Sequence, residues 1–580
     1  MTPGRVIRVA GPVVVAEGLD HVRLYNVVRV GRRELIGEVI RLKGTEAVIQ
    51  VYEDSSGLQV GSKVVDSGAP LTVELGPGLL GSIFDGVQRP LPALAEDGDP
   101  FGRPFLRRGV ERPSLDRERL WPLEYRVTTG DAVVAGDVVA TTEETPALTH
   151  LVLVPPDCAG TITSIGPTEA TIDDHVVWID GRPLTMTQHW PVRMRRPVAG
   201  RLDPSVPLVT GQRVVDTLFP VARGGSATIP GGFGTGKTVH EQTLAKWSDA
   251  DVIVYVGCGE RGNELAEVLE DFPRLVDPRT GTSLMERTIL VANTSNMPVA
   301  AREASVYTGI TVGEYYRDQG YDVALLADST SRWGEALREV ASRLEEMPGE
   351  EGYPAYLPSR LAEFYERAGA AASTGREPRM GSVTVVGAVS PPGGDFSEPV
   401  TQYSLRLAGT FWALDSDLAR RRHFPSIHWT RSYSLYDLGE WFNETVADDW
   451  EEQRRWALRL LSQEEELQSI VQLLGIEVLA PSERVAFQTG RILREDFLQQ
   501  SAYDEIDSYC PLTKQYWMLR VIRHLHEAIL TTVDDDTDLD LITRLDSVAD
   551  IARMRSWRPD DVAATARELM HRVDEEVASL

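Results

Sequence analysis

One eight-residue stretch constrains this chain more than any other: Gly231-Gly232-Phe233-Gly234-Thr235-Gly236-Lys237-Thr238. It fits the phosphate-binding pattern Gly-x-x-x-x-Gly-Lys-Ser/Thr in full. The loop follows an extended run, Ser226 to Ile229, and opens a helical run, Thr238 to Trp247. That order aims backbone N–H groups and a helix N-terminus at phosphate oxygens. Glycines are needed because a Cβ would obstruct the close backbone approach. Lys237 is expected to neutralise the outer phosphates of the ligand, and the Thr238 hydroxyl to bind Mg2+. A glycine-rich turn with no ligand is the competing reading, and the flanking strand and helix weigh against it.

Two further elements belong beside such a loop. The apolar run Val323 to Ala327 ends in Asp328. A carboxylate at the carboxyl end of a buried parallel strand can hold the magnesium shell, although an aspartate before Ser329-Thr330-Ser331 can also cap the next helix. The segment Gly257-Cys258-Gly259-Glu260-Arg261-Gly262-Asn263-Glu264 stands at the end of another extended run. There Glu260 could polarise an attacking water, Arg261 steady charge, and Glu264 reach the outer waters of the metal. An ion-paired turn followed by a helix acid favouring the macrodipole fits the same residues.

The rest of the chain divides by pattern. Short β-rich runs to about residue 75 predict a small N-terminal barrel, and the Gly/Pro-dense residues 76–91 predict a hinge. Residues 92–195 read as a β-rich insert. Within it Gly130 to Val139 alternates like a hairpin, and the stretch resembles a lipoyl carrier without the acceptor: no lysine occurs between Lys63 and Lys237. The insert is expected to be removable without loss of nucleotide binding. Strands alternating with amphipathic helices over 196–435 predict an α/β core with a parallel sheet. Residues 436–580, with helical spacing in Trp450 to Leu474 and Tyr516 to Leu530, predict a helical domain. Asp534 to Leu545 is acidic but has Leu539 and Leu545 where a calcium loop requires Gly and Glu, so it reads as a solvated loop.

Composition excludes several function classes. Acidic residues number 87 against 59 basic, a formal charge of -28 that repels nucleic acid and anionic lipid alike. Cys158, Cys258 and Cys510 stand far apart in no metal-ligand spacing, which suits a reducing, cytoplasmic setting. No run approaches the length needed to span a bilayer.

The phosphate loop, the Gly257 to Glu264 segment, Asn293 to Pro298, Ala327 to Trp333, Ser390 to Asp395, Leu75 to Gly78 and Phe497 to Gln500 together resemble the catalytic A subunit of V-type and archaeal-type rotary ATPases. The resemblance implies that Glu260 is the water-activating glutamate and that Phe424, with Tyr509 as a second aromatic, forms an adenine pocket. It implies ATP hydrolysis or synthesis coupled to proton or sodium transport. The implied partners are a homologous B-type subunit delivering an arginine finger in an alternating ring, central rotor and peripheral stalk subunits, and indirectly a membrane sector. Thr235 stands where many eukaryotic relatives carry a redox-active cysteine, so no such switch is expected. A regulatory nucleotide-holding subunit would lack the Glu260 carboxylate, an RNA translocase would need a basic, aromatic-studded module, and a secretion-type ring ATPase would not need the insert.

Overall fold

The computed structural model describes residues 3–96, 112–532, 542, 544–558 and 561–579. The acidic stretch 534–545 lies mostly outside these residues. The chain begins with six strands, β1 Gly4–Ala10, β2 Val13–Glu17, β3 Asn26–Val30, β4 Leu35–Lys43, β5 Glu46–Val51 and β6 Lys63–Pro70. They close into a barrel in the order β1-β2-β5-β4-β3-β6. Val6, Val14, Val28, Val39, Ile49 and Val64 fill its interior, so no strand edge stays open.

Just before residues 76–91 and within them, the chain adds strands to two sheets. Thr72–Leu75 pairs antiparallel with Gln188–Pro191, at the far end of the insert. Ile83–Phe84 adds a parallel strand to the central sheet beside Leu290 and Val291. Two-residue strands are too short for a periodic signal, which is why punctuation dominates the sequence there.

The insert also departs from its expected local pairing. Ala132–Val133 pairs with Gly160 and Thr161, whereas Val138–Thr145 pairs with Leu148–Leu153. Gly130 (φ 99) and Gly136 (φ 87) therefore turn the chain from one small sheet into another and make no hairpin. The insert shares its hydrophobic core with the central domain: Trp121, Val139, Val152 and Ile179 belong to one buried cluster with Val254, Tyr315 and Leu325. Its Glu144, fully buried, accepts hydrogen bonds from the N–H groups of Gly78 (2.8 Å) and Leu80 (3.1 Å) and from the Tyr316 hydroxyl (3.0 Å). His150 Nδ1 lies 2.7 Å from the same carboxylate and its Nε2 2.9 Å from the Tyr315 hydroxyl.

The central sheet runs through Thr410–Phe411, Ser226–Pro230, Met380–Val389, Asp322–Asp328, Val252–Glu260, Thr288–Thr294 and Ile83–Phe84, all mutually parallel. Val252–Cys258 is wholly buried, as expected of a strand covered by helices on both faces. The crossovers carry α1 Lys237–Trp247, α2 Gly262–Asp271, α3 Val299–Asp318 and α4 Thr330–Arg343. Beyond the sheet, α5 Trp450–Leu474, α6 Pro481–Ile492, α7 Leu512–Thr532 and α8 Val562–Val577 pack as a bundle around Leu460, Val485, Ile522 and Leu569. Among the described residues no helix is long and apolar enough to cross a membrane.

Candidate nucleotide site

Parallel pairing brings the carboxyl ends of three central strands together, and the predicted residues gather there. Pro230 ends one strand against Val389, and the loop leaves from it into α1. Gly234 (φ 77) and Gly236 (φ 88) adopt left-handed backbone. A Cβ on Gly231 would stand 2.6 Å from both the Leu414 Cβ and the Thr235 hydroxyl. Lys237 donates from Nζ to the carbonyls of Gly231 (2.8 Å) and Gly232 (3.4 Å), and burial lowers its pKa.

Asp328 ends its strand opposite Gly257. It is buried, accepts from the Tyr255 hydroxyl at 2.9 Å and lies 3.5 Å from the Thr238 hydroxyl. Burial raises its pKa, while the Tyr255 hydrogen bond and the Lys237 charge pull it back. A bulge between Cys258 and Glu260 resets the pairing with the next strand, so that Glu260 falls opposite Thr294. Burial first, then the Asp328 charge, push the Glu260 carboxyl up to about 8. Glu264 follows in the first turn of α2, half-buried. The Arg261 guanidinium lies 4.9 Å from the centroid of the Phe233 ring, a residue of the phosphate loop that is itself 81% exposed.

Glu241 belongs to none of the motifs named from the sequence. It follows Thr238 by three positions on α1, a spacing that puts both on one helix face. Its carboxyl is fully buried against that of Asp328, and burial first, then the Asp328 charge and a hydrogen bond shared with it, hold its pKa well above the usual range. The Thr238 hydroxyl with the Asp328 and Glu241 carboxylates is a hard-oxygen donor set, which fits Mg2+. Among the described residues no cluster of three or more His, Cys, Asp or Glu could hold a metal unaided. Mg2+ commonly takes one or two carboxylates and completes its shell with water and substrate phosphates.

Beside the loop lies a cavity of about 470 Å3 whose walls include Phe424, Val239, Gln499, Gln500, Tyr503 and Arg555. Phe424 also stands next to the loop, 3.4 Å from where a Cβ on Gly236 would be. Tyr509, expected as the second aromatic, does not line this cavity. Tyr509 stacks on Trp247 at 5.2 Å, its ring closed over Gly211, and it is Tyr503, 87% exposed, that borders the cavity. Stacking on Trp247 half-buries Tyr509 away from the residues that line the cavity, whereas Tyr503 sits on an exposed turn. Arg213, wholly buried, fastens this wall: it donates to the Asp507 carboxylate (2.7 Å), the Gln499 carbonyl (2.7 Å) and the Phe497 carbonyl.

The site combines a phosphate cradle, a metal-type donor set, an acid at the strand end and a slot beside Phe424, the features a nucleotide needs. Comparison with known proteins narrows this. Residues 6–68 match the ATP synthase alpha/beta family, beta-barrel domain, and 112–193 the ATPsynthase alpha/beta subunit barrel-sandwich domain. Residues 211–434 match the ATP synthase alpha/beta family, nucleotide-binding domain, and 439–542 the C-terminal domain of V and A type ATP synthase. An A-type ATP synthase A subunit of Methanospirillum hungatei JF-1, the second of that name, is 58% identical over 565 residues, 97% of this chain and 96% of its own. This chain belongs to the family of A-type ATP synthase A subunits. The A-type ATP synthase A subunit of Methanopyrus kandleri is 55% identical, covering 100% of this chain and 98% of its own. That of Thermococcus kodakarensis is 54% identical, covering 96% and 96%. In this member of the ATP synthase family the phosphate loop, Glu260, Asp328 and Phe424 all fall inside the matched nucleotide-binding domain, while Tyr503 lies in the matched C-terminal domain and Arg555 beyond it.

Proposed function

We propose that this chain is the catalytic subunit of a rotary ATP synthase, binding ATP or ADP with Mg2+ and interconverting ATP with ADP and phosphate. The single observation that carries the reading is Glu260, a half-desolvated carboxyl whose pKa of about 8 lies near working pH, beside the loop that cradles phosphate. Brønsted behaviour makes a group tuned to that range an effective proton acceptor and donor. In hydrolysis Glu260 takes the proton of the attacking water; in synthesis it returns it. Lys237 and the loop N–H groups stabilise charge on the phosphate oxygens. Thr238, Asp328 and Glu241 would hold Mg2+, and Glu264 would meet its outer waters. When bound, the metal neutralises charge on the phosphate oxygens. Phe424 and Tyr503 enclose the base.

Arg261, resting on Phe233, orients the loop mouth and is not a substitute for an arginine delivered from a neighbour. A homologous subunit completes the site in an alternating ring, and rotor, stalk and membrane sector couple it to ion movement. The chain then works in the cytoplasm, peripheral to a membrane. A regulatory role with nucleotide held but unreacted is disfavoured by the Glu260 carboxylate itself.

The test is steady-state ATPase activity of the purified chain against the reconstituted ring at saturating Mg-ATP, with Lys237→Ala in both. The ring should exceed the single chain by about a thousandfold per site, the usual worth of an arginine in trans. Lys237→Ala should reduce ring activity at least about a hundredfold. Equal rates for chain and ring, or an active Lys237→Ala ring, would overturn the reading.

A further inference from the structure

A second cavity, of about 300 Å3, lies at the other end of the sheet. The strand Thr288–Thr294 ends at the nucleotide edge and α3 runs back from there, so the last turn of α3 is at the amino edge. There it meets residues 195–201, where the chain leaves the insert, and the strand Gly369–Ala372, which pairs with the first residues of Met380–Val389. Five arginines line the cavity, Arg195, Arg196, Arg201, Arg317 and Arg367, against one acid, Glu314.

We infer that this cavity binds a phosphate-type oxyanion, at a site separate from the phosphate loop. Most of the arginines have structural work that can be subtracted. Arg367 is spent: Nε and Nη2 donate to Glu314 (2.9 and 2.7 Å) and Nη1 to the Val192 carbonyl (2.7 Å). Arg317 donates from Nε and Nη2 to Asp318 (3.1 and 2.7 Å), leaving Nη1 4.0 Å from Glu314. Arg195 gives Nη2 to Glu366 (2.7 Å), and Arg201 gives Nη2 to the Glu366 backbone carbonyl (2.8 Å).

Arg196 is the exception. Its side chain is 2% exposed. Nε donates to Asp318 at 2.6 Å and Nη2 to Gln188 at 3.2 Å, but Nη1 is buried with no hydrogen-bond partner. The guanidinium carbon lies 5.0 Å from the Trp190 ring centroid and 5.3 Å from that of Tyr315, contacts that give Nη1 no acceptor; a buried cationic donor left unmatched is costly, and Arg196 borders a cavity large enough for a small oxyanion. The carboxylates in reach, those of Glu314, Asp318 and Glu366, number three against five guanidiniums. The carbonyls ending α3 contribute about half a negative charge, which does not cancel the surplus. In a chain whose formal charge is -28, such a pocket concentrates anions against the prevailing field. Guanidinium forks match tetrahedral oxyanions bidentately.

The experiment is isothermal titration calorimetry of the full-length chain at constant ionic strength, in a Lys237→Ala background that disables the phosphate loop. Inorganic phosphate and glycerol 3-phosphate are titrated separately, with chloride as the control. The expected result is a single saturable site, weakened at least about tenfold, roughly one strong charge-assisted contact, by the surface pair Arg195→Gln/Arg201→Gln and again by Arg196→Gln. The surface pair guards against misfolding of the buried variant. Binding of the ester but not of free phosphate supports the site and assigns it to phosphate carried on a larger molecule. No heat beyond chloride for either probe, or binding that both sets of substitutions leave intact, overturns the inference. Loss of nucleotide turnover plays no part in this readout, so the inference and the proposed activity fail separately.

Discussion

Arg213 and Asp507 form a buried ion pair at 2.7 Å across 294 positions of sequence, joining the segment before the phosphate-loop strand to the wall of the base cavity. Asp507 passes the constraint on, accepting from the Ser501 N–H at 2.8 Å. Gln500 is held from both sides, its carbonyl oxygen by the Arg213 N–H and its amide by the carbonyls of Gly211 and Asp507, each at 2.8 Å.

Arg213 should therefore govern nucleotide affinity more than chemistry. Arg213→Lys keeps the charge against Asp507 but loses the fork, and we expect KM for ATP to rise about tenfold, the worth of one or two hydrogen bonds, with kcat within about twofold. Affinity for tripolyphosphate, which needs only the loop, should not change. A fall in kcat at constant KM in the reconstituted ring would show that the clamp does not act through the base wall.

Glu260→Gln should retain Mg-nucleotide binding and lose turnover by at least about a hundredfold, since the amide keeps the size and cannot take a proton. Binding is read by calorimetry with Mg-ADP and turnover by phosphate release. If affinity collapses together with turnover, Glu260 is structural.

His240 makes stability depend on pH. It is buried edge-on to Trp412 at 5.7 Å, its Nε2 has no partner, and burial lowers its pKa to about 4 from 6.5. Between those values the unfolded chain binds the proton and the folded chain does not, so this contribution is complete above about 6.5 and is lost as pH falls through 4. From pH 7 to pH 5 the loss should be about 2 kcal/mol. Denaturant unfolding of the wild type and of His240→Phe at both values isolates it; parallel losses in the two proteins would refute the assignment.

The insert should not be removable. Glu144→Ala would strand the Gly78 and Leu80 N–H groups, the Tyr316 hydroxyl and His150 in a dry interface, at a cost of about 3–5 kcal/mol. Deleting residues 112–193 would uncover the same face, and we expect that chain to lose its cooperative melt and its nucleotide binding together. A trimmed chain that melts normally and binds Mg-ADP would restore the view of the insert as an accessory module.

What the sequence discloses tracks the range of the interaction. The α5 helix spans Trp450–Leu474 as its spacing predicts, and the loop, Asp328 and Glu260 stand where strand-end logic expects them, because periodicity and loop chemistry are local. Tyr503 borders the cavity and Tyr509 does not, because Tyr509 stacks on Trp247, far back in the chain. Arg555 reaches the cavity through Lys514, whose ammonium donates to the Arg555 and Trp557 carbonyls at 2.7 and 2.9 Å; no spacing in the sequence announces such a tether. Glu241 was legible in principle, as an acid one turn beyond Thr238, but an exposed helix acid has the same signature.

The base cavity takes Phe424 from the sheet domain and Tyr503 and Arg555 from the bundle, with Arg213 pinning the two together. The α5 helix starts close to that pin, where Arg454 donates to the Leu218 carbonyl at 3.1 Å, and ends in Leu473 and Leu474, 84% and 67% exposed. Its 25 residues make a lever of about 37 Å at about 1.5 Å per residue. Tilting it by about 10° about the pin would sweep the exposed leucines through roughly 6 Å on that length while the groups gripping the base shift far less. A barely perceptible change of grip at the fulcrum is thus legible as a stroke at the tip, and a push on the tip returns to the fulcrum as a finely geared adjustment of the pocket.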